Sequence, residues 1–201
     1  MMRVQPVRLI GSIVRLEPLS EAYVPDLAVV GKDKSIWEFL PYGNINTEAK
    51  MSEHVKMLLG RAERGTDLPF VVILLESNYP IGCSRYLEIR EDHRALEIGG
   101  TWYGRAYQRS GVNTECKYLL IKHAFETLGC IRVQFKTDAR NQRSQISLER
   151  IGAVKEGTLR QQMITADVQV RDSIYYSIVE SEWPSVKANL EEKLERSYEQ
   201  G

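Results

Sequence analysis

The residues best suited to chemistry form the turn Gln108-Arg109-Ser110-Gly111-Val112-Asn113, between a strand-like segment, Ala95–Tyr103, and an amphipathic helix. Such a turn directs unpaired backbone N–H groups and the positive end of the helix dipole towards one point, which is how proteins hold a diphosphate. The turn lacks the Gly-Lys-Ser/Thr ending of a P-loop and the three glycines of a dinucleotide-binding loop. An ordinary strand-to-helix turn is the alternative interpretation.

A second group of residues lies on the strand before this turn. Glu97 alternates with Leu96 and Ile98, so its side chain is expected on the opposite face of the strand. Gly99-Gly100 follow in the middle of the same pattern. Two glycines inside a strand predict a β-bulge, or a place where another molecule approaches the backbone closely.

The apolar pattern predicts the elements that position these groups. Thr47 caps a helix, and the runs Phe70–Leu75 and Ile81–Ile89 predict a hairpin that continues into Ala95–Tyr103. Ile131–Thr137 alternates cleanly after the helix that follows the turn. This order predicts a βαβ crossover, and hence one parallel strand pair in an otherwise antiparallel sheet.

The two ends of the chain contain further elements. Ser20 is expected to cap a helix that reaches Val30, and Asn141 to cap a short helix that ends at Gly152. The remaining predicted elements are a first strand at Val7–Leu16, late strands at Leu159–Ile164 and Ser173–Val179, and a charged helix at Pro184–Tyr198.

Four separated segments resemble the GNAT acetyltransferases, and most closely the RimJ/RimL-like subgroup of ribosomal-protein N-acetyltransferases. They are LEIGGTW (96–102), QRSGVNTE (108–115), DARNQRSQISLERIGAVKEGTLR (138–160) and RDSIYYSIVESEW (171–183). The resemblance implies a single α/β (α+β) domain over residues 1–201, with a C-terminal helix at about 184–198. Its sheet would be mixed and mostly antiparallel, with a splayed parallel strand pair and flanking helices.

The chain departs from the family pattern at three positions. Asn113 replaces the second Gly/Ala of the phosphate turn, and Ala153 replaces an aromatic residue. Leu148 stands where many GNAT enzymes carry a tyrosine that protonates the departing thiolate.

The resemblance implies acetyl-CoA as co-substrate, with no metal. Backbone groups of the turn and its helix would bind the pyrophosphate, and Asn141 and the Gly100 stretch would bind the pantetheine arm. One backbone amide of that stretch would polarise the thioester carbonyl. The implied cofactor-binding residues are Gly100, Thr101, Trp102, Gln108, Arg109, Ser110, Gly111, Val112, Asn113, Thr114 and Asn141.

Two residues are candidates for catalysis in such an enzyme. An amine acceptor is largely protonated at neutral pH, and Glu97 is the candidate base that removes its proton. An ion-paired or solvent-facing strand glutamate is the alternative. Ser144 matches a RimL-type serine that hands a proton to the thiolate, although a serine is a poor acid.

Aromatic residues are the candidates for binding the acceptor. They are Trp37, Phe39, Tyr42 and Tyr175, each of which has core packing as the alternative role. The acceptor amine is expected to be a protein N-terminus, such as that of a ribosomal protein, or a small molecule. A non-catalytic acyl-CoA-binding or regulatory protein is the alternative function.

Bulk composition narrows the class of protein. Lys+Arg and Asp+Glu both number 27, which argues against a general nucleic-acid binder. Lys and Arg nevertheless outnumber Asp and Glu by 11 to 5 between Arg105 and Arg160, around the phosphate turn. The three cysteines show no disulfide spacing pattern, which predicts a reduced, cytoplasmic protein. The sequence lacks a long apolar run, so no membrane partner is expected. The apolar strand Ser173–Val179 is expected at a sheet edge, which predicts a homodimer. A monomer whose own C-terminal helix covers this strand is the alternative.

Overall fold

A computed structural model describes residues 2–198, which form one eight-stranded mixed sheet with helices on both faces. The strand order across the sheet is β1-β2-β3-β4-β5-β6-β8-β7. The strands are β1 Leu9–Ile10, β2 Val14–Pro18, β3 Leu68–Leu74, β4 Tyr79–Arg90, β5 Ala95–Tyr103, β6 Arg132–Asp138, β7 Val154–Ile164 and β8 Val170–Val179.

Five α-helices connect and cover these strands. They are α1 Val24–Val30, α2 Glu48–Glu63, α3 Gly111–Lys122, α4 Gln142–Arg150 and α5 Trp183–Tyr198. Short 3-10 turns precede α1 and α5, and α3 continues into a π-helical segment at His123–Thr127. The side chains of Thr47 and Asn141 accept the capping hydrogen bonds of α2 and α4, as the sequence predicts.

Within the described residues, β5 and β6 are the parallel pair and all other neighbouring strands are antiparallel. Their pairing covers only Ala95–Glu97 of β5, opposite Arg132–Gln134 of β6. Beyond Glu97 the two strands are no longer paired. The predicted βαβ crossover and splayed parallel pair are therefore confirmed.

Each face of the sheet covers its own apolar core. One core contains α3, α5 and one side of β5, with Leu96 and Ile98 fully buried against Leu120. The other core contains α1 and α2, with Trp102 of β5 buried beside Trp37. Leu96, Ile98 and Trp102 would share one face of an unbroken strand, so their burial in opposite cores shows that the alternation of β5 is interrupted between Ile98 and Trp102.

The position of α3 is fixed by a buried carboxylate. Glu115 accepts hydrogen bonds of 2.7 Å from the backbone N–H groups of Ser12, Ile13 and Val14. Its side chain is only 2% exposed. Bonds to an ionised acceptor are stronger than neutral ones, so they tie α3 to the β1–β2 turn.

Three sequence expectations are wrong in detail. Ser20 makes no capping bond, and a 3-10 turn separates it from α1. The expected first strand Val7–Leu16 is two short strands, β1 and β2, which pair antiparallel across a turn. Strand β8 is not an edge strand, since it pairs with β6 on one side and β7 on the other.

No helix within residues 2–198 has the length and apolar character needed to cross a membrane.

Replacing Gly11 with alanine should destabilise the protein. An added Cβ would lie 2.3 Å from Cδ of Glu115, and that carboxylate cannot move without weakening its three bonds. We expect the free energy of unfolding to fall by about 1–3 kcal/mol in urea titrations. Gly157→Ala is the control, because nothing lies within 4 Å of a Cβ built there. Equal stability of the two variants would contradict the anchoring role of Glu115.

Candidate active site

A cleft of about 1090 Å³ opens where β5 and β6 diverge. It is lined by the α3 N-terminus, one face of α4, β5, β6 and the segment before α2. The volume lies at the upper end of the usual range for small-molecule sites. The cleft therefore has room for an extended ligand together with a second reactant.

One end of the cleft is formed by the N-terminus of α3. The Ser110 hydroxyl caps the helix by accepting from Val112 N at 3.4 Å, and Arg109 has a left-handed φ of 61°. The remaining first-turn N–H groups have no helical partner, which makes them donors for an anion. Val112 differs from its neighbours, because its side chain is buried in the core and only its backbone is available.

Side-chain hydrogen bonds connect this helix terminus to its surroundings. Gln108 donates to the carbonyl of Tyr103 at 3.0 Å and accepts from Arg143 at 2.8 Å. Asn113 donates to Ser147 at 3.1 Å, which links α3 to α4.

A second bond joins the same two helices. Arg150 of α4 donates to the Thr114 hydroxyl at 2.9 Å. The positive excess found in the sequence thus lies partly around the mouth of the cleft, where Arg105, Arg109, Arg143 and Arg150 are lining residues.

Helix α4 presents polar side chains to the cleft. The Asn141 side chain accepts from Ser144 N at 3.0 Å, and Ser144 and Ser147 both line the cleft. Leu148 follows them and is buried in the core. Within the described residues the Ser144 hydroxyl bonds to no other side chain, so it is available to a ligand.

Glu97 lies at the centre of the cleft, at the last paired residue of β5. Its side chain is 3% exposed, and one carboxylate oxygen accepts from Gln134 Nε2 at 2.8 Å. The other oxygen is left for a reactant. The solvent-facing alternative for Glu97 is wrong, and Gln134 on β6 holds the carboxylate in place.

The β5 backbone bulges next to Glu97. Gly100 has a φ of +59°, and a Cβ there would lie 2.9 Å from the Tyr42 hydroxyl. Both the left-handed conformation and the close approach require glycine. The predicted bulge is confirmed, and the register of β5 with β4 shifts at this point.

A buried arginine supports the bulge. Arg85 Nη2 donates to the Tyr42 hydroxyl at 2.7 Å, and Arg85 Nε lies 3.3 Å from Asp67. The ion pair is buried but lacks hydrogen-bond geometry at Nε. Burial raises the pKa of Tyr42, against a lowering effect of Arg85, so the hydroxyl stays protonated.

Lys117 of α3 also faces the cleft, although its side chain is only 7% exposed. Its Nζ donates to Thr101 Oγ1 at 3.1 Å and lies 5.4 Å from the centroid of the Phe135 ring. Burial lowers the pKa of Lys117 to about 8, with smaller opposing effects of Cys116 and Glu97.

The predicted acceptor residues divide into two groups. Phe39 and Tyr42 line the cleft, whereas Trp37 and Tyr175 do not. Trp37 is buried at 2% exposure and donates its indole N–H to Gly31 O, so it has a core role. Tyr175 lies on β8, with Nζ of the lining residue Lys136 5.7 Å from its ring centroid. Contact of Trp37 and Tyr175 with an acceptor stays a prediction.

All the predicted cofactor-binding residues except Val112 line the cleft. They are Gly100, Thr101, Trp102, Gln108, Arg109, Ser110, Gly111, Asn113, Thr114 and Asn141. The sequence analysis missed Gln134, Lys117, Arg85 and Ser147, which lie on strand and helix faces without a local motif. Alternation along β6 places Gln134 on the face opposite to Val133, a signal that could have suggested Gln134.

Within residues 2–198 no cluster of His, Cys, Asp and Glu is arranged to hold a metal ion.

His54 lies behind the acceptor side of the cleft. Its ring packs 4.7 Å from that of Tyr42 and 6.3 Å from that of Trp37. Burial, followed by the charges of Arg85 and Arg61, lowers the pKa of His54 to about 4. The ring is neutral at pH 7, and its protonation would place a charge inside the aromatic cluster.

The fold and this site define a member of the GNAT acetyltransferases. The sequence profile of the Acetyltransferase (GNAT) domain matches residues 14–154, so the chain belongs to that family and is an N-acetyltransferase. Enzymes of the family use acetyl-CoA.

Two solved structures and one curated protein are similar to this chain. An acetyltransferase structure from T. thermophilus is 38% identical, with a TM-score of 0.87 and coverage of 96% of this chain and 100% of that one. Mycobacterium smegmatis RimJ, solved in complex with CoA-disulfide, is 20% identical, with a TM-score of 0.76 and coverage of 92% and 91%. The Bacillus subtilis protein YdaF, provisionally named a ribosomal N-acetyltransferase, is 33% identical over 95 residues. That alignment spans 47% of this chain and about half, 51%, of YdaF.

Replacing His54 with phenylalanine should reduce the acid sensitivity of the fold. The folded-state pKa of about 4 lies below the usual 6.5, so stability is lost as the pH falls from 6.5 towards 4. We expect this loss to reach about 2 kcal/mol at pH 5 and to be absent from His54→Phe. Urea unfolding of both proteins at pH 7 and pH 5 measures it. A pH effect of the same size in both proteins would contradict the buried neutral histidine.

Proposed function

We propose that this protein transfers an acetyl group from acetyl-CoA to a primary amine by direct attack in a ternary complex. One observation carries the proposal. A single cleft joins the helix N-terminus of α3 to the buried carboxylate of Glu97, at the point where β5 and β6 separate.

The residues present fit the acetyl donor. The first-turn N–H groups from Ser110 to Thr114 would hold its pyrophosphate, helped by the helix dipole. The unpaired edge of β5 at Gly100–Trp102 would pair with the pantetheine arm, and Asn141 lies across the cleft from it. When bound, acetyl-CoA supplies an activated acyl group and a thiol leaving group.

Glu97 is the proposed base. Gln134 fixes one carboxylate oxygen, so the other can accept the proton of an ammonium acceptor, directly or through a water molecule. A backbone amide of the Gly100 bulge would stabilise the oxyanion, because a donor held rigidly in a water-poor cleft needs no reorganisation. Ser144 faces the same space from α4 and is the proposed hydroxyl on the path of the proton to the thiolate.

For the acceptor we favour the N-terminus of a protein, such as a ribosomal protein, over a small amine. The support is the name of YdaF, together with a cleft large enough for a second reactant, lined on one side by Phe39 and Tyr42. The small-molecule acceptor is the competing outcome. A panel of N-terminal peptides, amino acids and polyamines, followed by thiol release, distinguishes the two.

We also propose a cytoplasmic location and a homodimer. The three cysteines are free and buried, which suits a reducing compartment. The exposed sheet edge is β7, and Leu159 and Ile164 on it are 52% and 70% exposed. An apolar edge of this kind favours pairing with a second copy.

Glu97→Gln should retain CoA affinity and lose turnover. General-base catalysis contributes on the order of 10²–10⁴ in rate, and the deficit should shrink at higher pH, where more acceptor is already neutral. Thiol release at pH 7 and pH 9 measures both effects. Glu88→Gln removes another carboxylate from the cleft wall and is expected to have little effect. Normal turnover of Glu97→Gln at pH 7 would leave Glu97 without a catalytic role.

Light scattering at micromolar concentration should give twice the sequence mass of 23.1 kDa. Leu159→Lys, on the β7 edge, should shift the mass to that of one chain, because a lysine would be desolvated in the interface. Ile10→Lys is the control: Ile10 is 62% exposed on β1, at the opposite edge of the sheet. A wild-type mass near 23.1 kDa would exclude the stable dimer.

A further inference from the structure

The Lys117 ammonium occupies the gap between the two diverging strands. It is held by Thr101 of β5 at 3.1 Å and stacks over Phe135 of β6, 5.4 Å from the ring centroid. The Thr101 hydroxyl is bonded in turn to Ser84 Oγ at 2.8 Å. This chain of contacts fixes the position of Nζ, and the side chain still lines the cleft.

Among the described residues, no carboxylate forms an ion pair with the Lys117 ammonium. The titratable groups that act on it are Cys116 of its own helix and the more distant Glu97 of β5. Burying an unpaired ammonium is costly, and a neutral residue of the same length would pack against Phe135 without that cost. A ligand that develops negative charge in the cleft would supply the missing partner.

Lys117 and Glu97 approach the gap from opposite faces of the sheet. Leu96 and Ile98 pack in the core beneath α3, so Glu97 between them faces the other side. The bulge at Gly99–Gly100 resets the alternation, and Thr101 meets Lys117 on the α3 side. A reactant in the gap would therefore have the carboxylate on one side and the ammonium on the other.

Building on the proposed function, we propose that Lys117 is a catalytic residue that donates a proton to the sulfur of the departing CoA. The amine lone pair forms the N–C bond, and the C–S bond breaks with its electron pair on sulfur. Sulfur takes a proton from Nζ and leaves as the thiol. Nitrogen loses two protons in all, one to Glu97 before attack and one as the amide forms. Lys117, now neutral, is reprotonated through solvent by one of these two protons, and the other is released, so one proton is released for each acetyl group transferred.

The acidity of Lys117 suits this step better than that of a serine. Its pKa of about 8 is close to that of an ordinary thiol, about 8.5, so proton transfer between them is nearly balanced. Below pH 8 the side chain is mostly protonated and ready to donate. A serine hydroxyl is a far weaker acid, so Ser144 can relay or orient the proton but needs a source. Lys117 supplies that source in a chain where Leu148 replaces a tyrosine.

The test uses CoA itself, without an acceptor. The ultraviolet absorbance of the thiolate reports ionisation of bound CoA, and desulfo-CoA provides the blank. A nearby ammonium should lower the thiol pKa of bound CoA by about one pH unit relative to free CoA, which leaves the thiol close enough to Lys117 in acidity to take its proton. In Lys117→Met this lowering should disappear. Lys122→Met is the matched control, because Lys122 lies on the same helix over Tyr118 and not in the cleft lining.

Turnover provides the second measurement. Lys117→Met should lower kcat on the order of 10²–10⁴-fold with little change in CoA affinity. Lys117→Arg should keep the lowered thiol pKa, since it retains the charge, yet remain slow because arginine does not give up its proton.

The outcomes separate the two proposals. Identical thiol titrations of bound CoA in wild type and Lys117→Met would overturn the role of Lys117 and leave the acetyl-transfer proposal standing. Failure of wild type to bind either CoA or desulfo-CoA would overturn both. Gly111→Val adds a side chain at the pyrophosphate end of the cleft and should weaken the binding of CoA and desulfo-CoA equally. It therefore shows the result of a binding defect that does not involve the thiol.

Discussion

The short pairing of β5 with β6 is the constraint on which the rest of the site depends. Two parallel strands that stay bonded leave no space between them, whereas these separate after three residue pairs. The separation creates the cleft, exposes unpaired backbone on β5, and gives Glu97 and Lys117 access to the same gap. The cost of unpaired backbone groups is met when a ligand bonds to them, which is why such a gap is typical of a binding site.

Helix α3 must keep its place beside this gap for the site to work. The Glu115 carboxylate secures it by bonding three successive N–H groups of the β1–β2 turn. Helix α5 packs at the other end of α3, where Trp183 stacks on Phe125 of the π-helical segment with ring centroids 5.5 Å apart. An early turn and a late helix, far apart in sequence, thus hold α3 in place.

Local sequence signals predicted most of the fold, because they depend on neighbouring residues. Thr47 and Asn141 cap helices, β5 has the predicted bounds, and the crossover follows from element order. Signals that depend on tertiary packing were harder to read. The apolar character of β8 suggested an edge strand, but an apolar strand is equally suited to the interior, which is where pairing with β7 places it. The sequence does not distinguish Lys117 from a solvent-exposed helix lysine, because its place in the cleft depends on the separation of β5 and β6.

The links between α3 and α4 have a mechanical consequence. Among the described residues, three side-chain hydrogen bonds join the wall formed by α4 to the phosphate-binding end: Arg143 to Gln108, Asn113 to Ser147, and Arg150 to Thr114. Each such bond contributes only about 1 kcal/mol net, far less than the pairing within the sheet. These polar contacts are therefore a weaker restraint on the shape of the cleft than the paired strands of the sheet beneath it.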